Sequence, residues 1–296
     1  MRKVRCPECG ERVRMDRLAK HRKSLHRSKK RSMRVPAVAA AAIIAVVIIA
    51  LALLAFQPKP KDNDDNAPPP ADPMAVQVSF RTVDGFELKG TFYRGSPSEP
   101  LVIFVHGLGE TRGSWGQILT EMRQKGYSVL AFDSRGHGES IVQNGIQRDW
   151  MSFSQDEFPM MTKDLVAALH FAHASFAFAP RVAIVGASMG ANEALDFAAS
   201  PNGSEVRSLI LLSPGTDFRG LQSGPPAQVL SDRGGVGLFI AVSGADSNSY
   251  ACGKSLNESY QGKKRLLLQE GGAHGTVMLT YDGIRAEIGD FLKQTL

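Results

Sequence analysis

The stretch "VAIVGASMGANEAL", residues 182–195, places Ser188 between an apolar run and a run with helical spacing. Gly186 and Gly190 flank the serine in the pattern G-x-S-x-G. In a sharp strand-to-helix turn of this form the serine takes a strained backbone conformation, and small neighbours let the strand and the helix approach it closely. The pattern alone is weak evidence, but its position after an apolar run and before "ANEALDFAA" predicts a strand, a turn that presents the Ser188 hydroxyl, and a helix.

Similar apolar runs bounded by turn residues recur along residues 74–296. From the third run onward they are continuously hydrophobic, which is typical of parallel strands buried on both faces. The pattern predicts an α/β fold, in which two antiparallel strands begin a mostly parallel eight-stranded sheet with helices on both faces. The predicted strands cover 75–82, 87–93, 101–107, 128–133, 181–186, 209–213, 238–244 and 265–271. The predicted helices cover 114–126, 158–176, 190–200 and 281–296.

A serine nucleophile needs a histidine base, and the base needs an acid that orients it. Of the seven histidines, His274 alone follows both the serine and the last predicted strand. The acid is expected at the end of a strand between the two. Asp246, after the seventh strand, is the preferred candidate, and Asp217, after the sixth, is the alternative. Either aspartate could instead be an ordinary turn residue.

Five motifs in this order resemble the α/β-hydrolase superfamily, in particular its serine-esterase and acylglycerol-lipase-like branch. They are "HGLGE" at 106–110, "DSRGHGES" at 133–140, "GASMG" at 186–190, "GAD" at 244–246 and "GGAHG" at 271–275. The resemblance covers essentially all of residues 74–296. It is highly specific for the fold and poorly specific for a substrate.

The resemblance implies Ser188 as nucleophile, His274 as general base and acid, and Asp246 as the orienting acid. It also implies an oxyanion hole formed by the backbone NH groups of Leu108 and Met189. Three side chains in the two glycine-containing loops are then expected to shape those loops; these are His106, Arg135 and His137. No cofactor is expected for catalysis.

Residues 1–35 differ from the rest of the chain in their charge. Residues 1–35 hold 14 Lys and Arg against three Asp and Glu, whereas the whole chain has a net charge of +6, so the rest is net acidic. This basic part contains a C-x2-C-x11-H-x4-H pattern, which predicts a small module with a structural Zn²⁺ ion; the alternative is a disordered basic tail. The predicted ligands are Cys6, Cys9, His21 and His26.

Residues 36–56 contain no charged or polar side chain. Twenty-one helical residues extend roughly 31 Å, the thickness of a bilayer core, so we expect a transmembrane helix. A cleaved signal peptide and a buried helix are the alternatives. The basic residues before this segment place the N-terminus in the cytoplasm and the residues after it outside. Residues 57–73, rich in Pro and Asp, are expected to be a linker, so the predicted localisation is a single-pass protein of the cell membrane.

These observations predict a membrane-anchored serine hydrolase that cleaves carboxylic esters, small or lipid-like, through an acyl-Ser188 intermediate. The segment 149–161 offers side chains for an acyl pocket or for the core: Trp150, Met151, Phe153, Phe158, Met160 and Met161. Alternatives on the same fold are a serine aminopeptidase and a thioesterase, and a non-catalytic binding protein is a further one.

The zinc module is expected to recruit a protein partner. Nucleic acid is disfavoured as its partner, because a lone finger buries little DNA surface and the basic run ends beside the predicted membrane segment.

Overall fold

A computed structural model of the chain describes residues 3–5, 12–17, 20 and 74–296. The chain divides into two compact units, Met1–Asp65 and Asn66–Leu296. In the first unit, β1 (Lys3–Arg5) and β2 (Arg12–Arg14) pair as an antiparallel hairpin, with Lys3 opposite Arg14. A short 3-10 helix follows at Met15–Arg17.

The predicted zinc ligands and the predicted membrane segment lie outside the described residues. These are Cys6, Cys9, His21, His26 and residues 36–56. Among the residues that are described, no group of three or more His, Cys, Asp or Glu side chains could hold a metal ion. None of the helices within those same residues combines the length and hydropathy needed to cross a bilayer.

Residues 74–296 contain the predicted α/β sheet, and each of the eight predicted strands overlaps an observed one. The bounds are β3 Ala75–Arg81, β4 Phe86–Tyr93, β5 Pro100–Val105, β6 Ser128–Phe132, β7 Val142–Gln143, β8 Ile146–Gln147, β9 Ala179–Ala187, β10 Val206–Leu212, β13 Gly237–Ser243 and β14 Lys264–Gln269. The order along the main path of the sheet is β14-β13-β10-β9-β5-β6-β4-β7-β8, and β3 pairs with β4. The neighbours from β14 to β6 on this path pair in parallel, whereas β4 is antiparallel to β3, β6 and β7, and β7 is antiparallel to β8.

Helices cover both faces of the sheet, as predicted. The alternation of side chains along β5 shows why, because Leu101, Ile103 and Val105 join one hydrophobic cluster while Val102 and Phe104 join the other. The first cluster packs under α2 (Thr162–Ser175), α3 (Met189–Ala199), α4 (Gly224–Arg233) and α5 (Ser247–Ser259). The second packs under α1 (Ile118–Gln124) and α6 (Ile284–Thr295).

The sheet of the second unit has ten strands where the sequence predicts eight. The two additional strands are β7 and β8, a two-residue hairpin in which Val142 pairs with Gln147 at the edge of β4. Asn144 and Gly145 connect them with φ of 50° and 82°. An Asn-Gly pair with two positive φ angles suits a tight hairpin turn. Such short strands carry too little hydrophobic alternation to be recognised in the sequence.

A buried ion-pair cluster ties the loop after β6 to α2. Arg135 is 2% exposed; its Nε donates to Asp164 Oδ1 at 2.8 Å and its Nη1 donates to Asp84 Oδ2 at 2.9 Å. Its backbone NH donates to Asp164 Oδ2 at 2.7 Å. Desolvation opposes the charge of Arg135, but these carboxylates raise its pKa. The guanidinium therefore remains charged and fixes this loop, in keeping with the loop-shaping role expected for Arg135.

Replacing Arg135 with Met is expected to destabilise the fold by about 3 to 5 kcal/mol, because the variant leaves the buried Asp164 carboxylate without its counter-charge. The exposed pair Arg81–Glu87, 3.9 Å apart, provides the matched control. Arg81→Met should cost less than about 1 kcal/mol, since a solvated pair contributes little. Urea unfolding measures both free energies, and equal losses in the two variants would contradict the structural importance of the buried pair.

Candidate active site

Ser188 lies at the turn between β9 and α3, with φ 52° and ψ −116°. Positive φ is strained for a residue other than glycine. Close packing around the turn maintains this conformation. A Cβ on Gly186 would lie 2.3 Å from the Gly190 carbonyl oxygen, and one on Gly190 would lie 2.3 Å from that of Val105. Only glycine fits at either position, which explains the G-x-S-x-G spacing.

The structure brings the predicted serine, histidine and acid together in one hydrogen-bonded series. His274 Nε2 lies 2.8 Å from Ser188 Oγ, and His274 Nδ1 lies 2.6 Å from Asp246 Oδ2. Because an ionised carboxylate only accepts, Nδ1 carries the ring proton and Nε2 accepts from the Ser188 hydroxyl. Burial raises the pKa of Asp246, but hydrogen bonds from His274 and Ser249 outweigh that effect and hold the pKa below its ordinary value.

The alternative acid, Asp217, has other partners. It begins the short hairpin of β11 (Asp217–Phe218) and β12 (Leu221–Gln222). One carboxylate oxygen accepts from the backbone NH of Gly220 at 2.8 Å, and the other accepts from the side chain of Gln222 at 3.4 Å. The geometry therefore pairs His274 with Asp246 and leaves Asp217 on the wall of the cavity.

The predicted oxyanion donors belong to two adjacent turns, the one after β5 and the one after β9. The Met189 NH follows the serine at the first position of α3, and the Leu108 NH follows Gly107. Within residues 74–296 neither amide donates to a backbone acceptor outside its own helix. Both donors are thus available to a substrate oxygen.

His106 fixes the turn that contains Leu108. Its Nε2 accepts from the Ser134 NH at 3.0 Å, so its Nδ1 carries the proton and donates to the Gly107 carbonyl oxygen at 2.8 Å. Complete burial and the neighbouring His137 lower the pKa of His106 to about 3, which keeps the ring neutral near physiological pH. The His137 ring stacks on Trp150, with 5.6 Å between centroids. Both histidines therefore hold loops and lie outside the series that contains Ser188.

The remaining described histidines lie on the exposed side of α2. His170 is exposed, and His173 pairs with Glu205 at 2.9 Å. They do not approach Ser188, in line with the sequence-based interpretation that His274 is the base.

A cavity of about 570 Å³ opens at Ser188. Apart from Phe218 and Ala251, its walls are glycine or polar residues, and no Leu, Ile, Val or Met contributes to it. The lining consists of Ser188, Asn192, Ser213, Gly215, Thr216, Asp217, Phe218, Asp246, Asn248, Ser249, Ala251 and His274. The His274 side chain is 51% exposed, so the cavity is open to solvent.

The segment 149–161 does not line this cavity. Phe153, Phe158 and Met161 are buried in the hydrophobic core. Met151 and Met160 are exposed at the surface. The sixth residue of the set, Trp150, lies near the turn after β5, where its ring comes within 3.8 Å of a Cβ placed on Gly109. Core packing thus accounts for half of the six side chains, and none of them forms the pocket at Ser188.

Asn192 is a site residue that the sequence analysis did not single out. It is fully buried, and its side-chain NH₂ donates to the carbonyl oxygens of Gly215 at 2.7 Å and Leu221 at 2.8 Å. Its side-chain oxygen accepts from the Gly215 NH at 3.0 Å. The amide therefore holds the β11–β12 hairpin against α3. The available signal was its spacing, because a residue four positions after Ser188 lies on the same face of the helix.

Ser213 and Glu110 were also missed. Ser213 Oγ accepts from the NH of Gly275, directly after His274, at 3.0 Å. Glu110 Oε1 accepts from Thr276 Oγ1 at 2.8 Å across 166 positions of sequence. Both contacts connect loops that only the fold brings together, so no local pattern could have indicated them.

Comparison with solved structures shows the same architecture. An esterase from Pyrococcus furiosus superposes with a TM-score of 0.59 and 20% identity over 74% of this chain and 90% of that one. A dienelactone hydrolase from Anabaena variabilis gives 0.56 and 19% identity over 75% of this chain and 97% of that one. The chain contains an α/β-hydrolase fold. At these identities the likeness concerns the fold alone.

Sequence comparisons agree with an α/β-hydrolase. A family model described as "Serine aminopeptidase, S33" matches residues 96–234, slightly less than half of the chain. A thiohydrolase from Aspergillus aculeatus is 40% identical over 65 residues, which cover 22% of this chain and 20% of that protein. A non-heme chloroperoxidase from Kitasatospora aureofaciens is 28% identical over 152 residues, 51% of this chain and 46% of that one. The chain matches less than half the length of each of these curated relatives.

A second buried acid, Glu193, lies on α3 five residues after Ser188. Glu193, on α3, is fully buried, and neither of its carboxyl oxygens has a hydrogen-bond partner among the described residues. Burial raises the pKa of Glu193 well above its ordinary value, and the nearby carboxylates of Asp164 and Asp196 add to the rise against the opposing charge of Arg135. Burial therefore favours the protonated form of this side chain in the folded protein.

This raised pKa predicts a pH-dependent stability. The folded state binds the Glu193 proton more tightly than the unfolded state, so the contribution is fully present below the unfolded pKa of about 4.3 and is lost as the pH rises toward the folded value. The free energy of unfolding of the wild type relative to Glu193→Gln should therefore fall as the pH is raised from below about 4.3 to values above it. Urea unfolding across this range measures it, with the exposed Glu258→Gln as control. A parallel pair of pH profiles for wild type and Glu193→Gln would contradict the prediction.

Proposed function

We propose that this protein is a serine hydrolase that cleaves carboxylic esters through an acyl-Ser188 intermediate. The observation that carries the proposal is the hydrogen-bonded series from Asp246 through His274 to Ser188 at a strained strand-to-helix turn. The α/β-hydrolase fold and the resemblance to esterases and hydrolases support it.

The geometry suits a two-step acyl transfer. His274 Nε2 accepts the hydroxyl proton as Ser188 Oγ bonds to the ester carbonyl carbon, and Asp246 stabilises the imidazolium that forms. The Leu108 and Met189 amides hold the oxyanion. When the intermediate collapses, the bond to the alcohol oxygen breaks and the imidazolium returns the proton to that oxygen. Water, deprotonated by His274, then attacks the acyl-enzyme and releases the carboxylic acid and free Ser188.

A short acyl group is the substrate that the cavity favours. Burying a long alkyl chain would require apolar walls, since each CH₂ contributes about 0.8 kcal/mol only when it leaves water for an apolar surface. The cavity offers mainly Phe218 for such a contact. We therefore propose small esters with polar parts as substrates and place a membrane lipid second. Turnover of p-nitrophenyl esters should fall from acetate and butyrate to dodecanoate, and the reverse order would support the lipid.

Labelling with a fluorophosphonate tests the chemistry directly, because this probe phosphonylates only activated serines. The wild-type protein should gain one adduct, which peptide mass mapping should locate on the peptide that contains Ser188. A protein that stays unlabelled would remove the enzyme proposal and favour the non-catalytic binding protein. An adduct on another serine would refute the assignment of Ser188.

Thioester hydrolysis is the second candidate, because of the 40% identity to the thiohydrolase over 65 residues. The same series and oxyanion donors would attack a thioester carbonyl in the same way. Matched substrates with one acyl group, an oxygen ester, a thioester and an anilide, separate the esterase, thioesterase and aminopeptidase alternatives by their kcat/KM. We expect the oxygen ester to be the fastest relative to its spontaneous hydrolysis.

We further propose that residues 36–56 anchor the protein in the cell membrane, with residues 57–73 as linker and the hydrolase domain outside the cytoplasm. The apolar sequence and the preceding basic residues support this. The full chain should stay in the membrane fraction after alkaline carbonate extraction. Protease added to intact cells should degrade the hydrolase domain. Release into the supernatant would contradict the anchor.

For the first unit we propose one structural Zn²⁺ ion held by Cys6, Cys9, His21 and His26. The observed hairpin supports this, because its strands flank the residues that contain both cysteines. A compact zinc module also suits a protein partner better than nucleic acid. The purified full chain should contain about one zinc per molecule, and Cys6→Ser with Cys9→Ser should abolish it. Equal metal content in both proteins would refute the site.

A further inference from the structure

Glu110 joins two loops that carry different parts of the candidate site. Its Oε2 accepts from the backbone NH of Gly107 at 3.0 Å, in the turn after β5. Its Oε1 accepts from Thr276 Oγ1 at 2.8 Å, in the loop after β14. The side chain is partly buried, and the Gly107 and Thr276 residues that it contacts are buried. One carboxylate therefore connects the turn that precedes Leu108 with the loop that follows His274.

The first contact bears on the orientation of the Leu108 NH. That NH and the Gly107 carbonyl belong to one planar trans peptide, so they point in opposite directions. The Gly107 carbonyl oxygen accepts from the Glu110 NH at 3.1 Å and from His106 Nδ1 at 2.8 Å. The Glu110 side chain holds the preceding peptide through the Gly107 NH. With both peptides fixed, the Leu108 NH has a fixed direction.

The second contact bears on the position of His274. Thr276 lies two residues after it, in the 3-10 helix Gly275–Thr280 that His274 precedes as its N-terminal cap. A Cβ on Gly275 would lie 3.7 Å from Glu110 Oε1 and 3.8 Å from Ser188 Cβ. The Glu110 carboxylate thus lies just across Gly275 from the nucleophile. Its bond to Thr276 restrains the start of this helix and, with it, the backbone of His274.

We propose that Glu110 is a positioning residue that sets the oxyanion donor Leu108 and the base His274 relative to each other. This inference rests on the proposed function, since it concerns the efficiency of the same acyl transfer. Glu110 need not touch the substrate. It acts through two hydrogen bonds, and a loss of either lets one loop shift against the other. Displacements of about 1 Å at such a site can cost on the order of a hundredfold in rate.

The variants Glu110→Ala and Glu110→Gln separate the bridge from the negative charge. Glutamine can keep both contacts, because its amide oxygen can accept from the Gly107 NH while its NH₂ donates to Thr276 Oγ1. We expect kcat for a p-nitrophenyl ester to fall about 10- to 100-fold in Glu110→Ala, with KM changed less than about twofold, and to stay within about threefold of wild type in Glu110→Gln. Equal losses in the two variants would overturn the proposal. The exposed Glu258→Ala is the matched control and should retain wild-type turnover.

Binding of a trifluoromethyl ketone distinguishes positioning from a general structural role. This inhibitor forms a tetrahedral adduct with the serine and places an oxyanion in the hole, whereas the product carboxylic acid does not. In Glu110→Ala, its inhibition constant should rise in proportion to the fall in kcat/KM, while that of the product acid should stay within about twofold. Equal weakening of both ligands would indicate a general structural defect and refute the positioning role.

The variant Thr276→Val removes one end of the bridge with little change in shape. It should lower kcat by less than Glu110→Ala, and the double variant should be no slower than Glu110→Ala alone, because both substitutions break the same link. Additive losses would refute the link. If Glu110→Ala fails to fold, Thr276→Val and Glu110→Gln decide the matter, because the first should lower kcat and the second should leave it within about threefold of wild type. Failure of the proposed function is a separate result, since the wild type would then neither turn over esters nor be labelled at Ser188.

Discussion

Replacing Ser188 with Ala is expected to lower kcat for p-nitrophenyl acetate about a million-fold, the loss that follows removal of the nucleophile from a serine–histidine–aspartate series. Without Oγ no acyl-enzyme forms, so only binding and the oxyanion donors can still assist attack by water. The fold should persist, because alanine is smaller than serine and fits the strained turn between β9 and α3. Turnover of the ester and the circular dichroism melting curve measure the two effects.

Ser259→Ala is the matched control, because it makes the same chemical change at an exposed serine at the end of α5. Ser259 Oγ donates to the Ser255 carbonyl oxygen at 2.9 Å, and Ser259 does not line the cavity at Ser188. Its turnover should stay within a few-fold of wild type. Undiminished turnover in Ser188→Ala would remove Ser188 as nucleophile and, with it, the proposed mechanism.

Asp246→Asn is expected to lower kcat about ten-thousand-fold. The asparagine NH₂ would donate to His274 Nδ1, so the ring proton would move to Nε2, which could then no longer accept the proton of Ser188. Asp246 also caps α5, its side chain accepting weakly from the Ser249 NH at 3.5 Å. Asparagine is an equally good cap, so the stability should change little. Single-turnover kinetics at neutral pH measure the acylation step directly.

Asp217→Asn makes the same chemical change on the other aspartate of the cavity. Because Asp217 bonds to Gly220 and Gln222, its replacement should leave kcat within about threefold of wild type. A large loss in Asp217→Asn with a small one in Asp246→Asn would reverse the assignment of the acid. Similar losses in both would indicate that charge in the cavity, rather than the tautomer of His274, controls the rate.

Much of the fold was predictable because its signals are local. Continuous apolar runs identified the parallel strands, and each predicted strand overlaps an observed one. The β7–β8 hairpin was missed because two residues per strand give no periodicity, although its Asn144–Gly145 turn was a usable signal. The sequence did not decide whether Phe158 lies in the hydrophobic core or lines an acyl pocket. A hydrophobic side chain looks the same in sequence whether it packs inside or lines a cavity, and packing against Phe153 and Phe218 placed it inside.

The residues of the candidate site were also predictable only in part, where their signals are local in the sequence. Chain order and turn chemistry indicated Ser188 and His274 and favoured Asp246 over Asp217 as the acid, and the structure brings Ser188, His274 and Asp246 within hydrogen-bond distance. The choice between Asp246 and Asp217 remained open in the sequence, since both follow a strand. The contacts of Glu110 with Thr276 and of Asn192 with Gly215 had no signal of partnership at all, because each joins residues far apart in the chain.

The sequence by itself determined the strand-to-helix turn at Ser188, the class of the fold and the order of the reactive residues, because short-range sterics and hydrophobic periodicity specify these features locally. Only the tertiary structure decided which acid pairs with His274, that the cavity walls are mainly polar, and that Glu110 bridges two loops. These features depend on where the carboxyl ends of β5, β9, β13 and β14 meet in space. Sequence spacing does not encode that distance, because the packing of the whole sheet sets it.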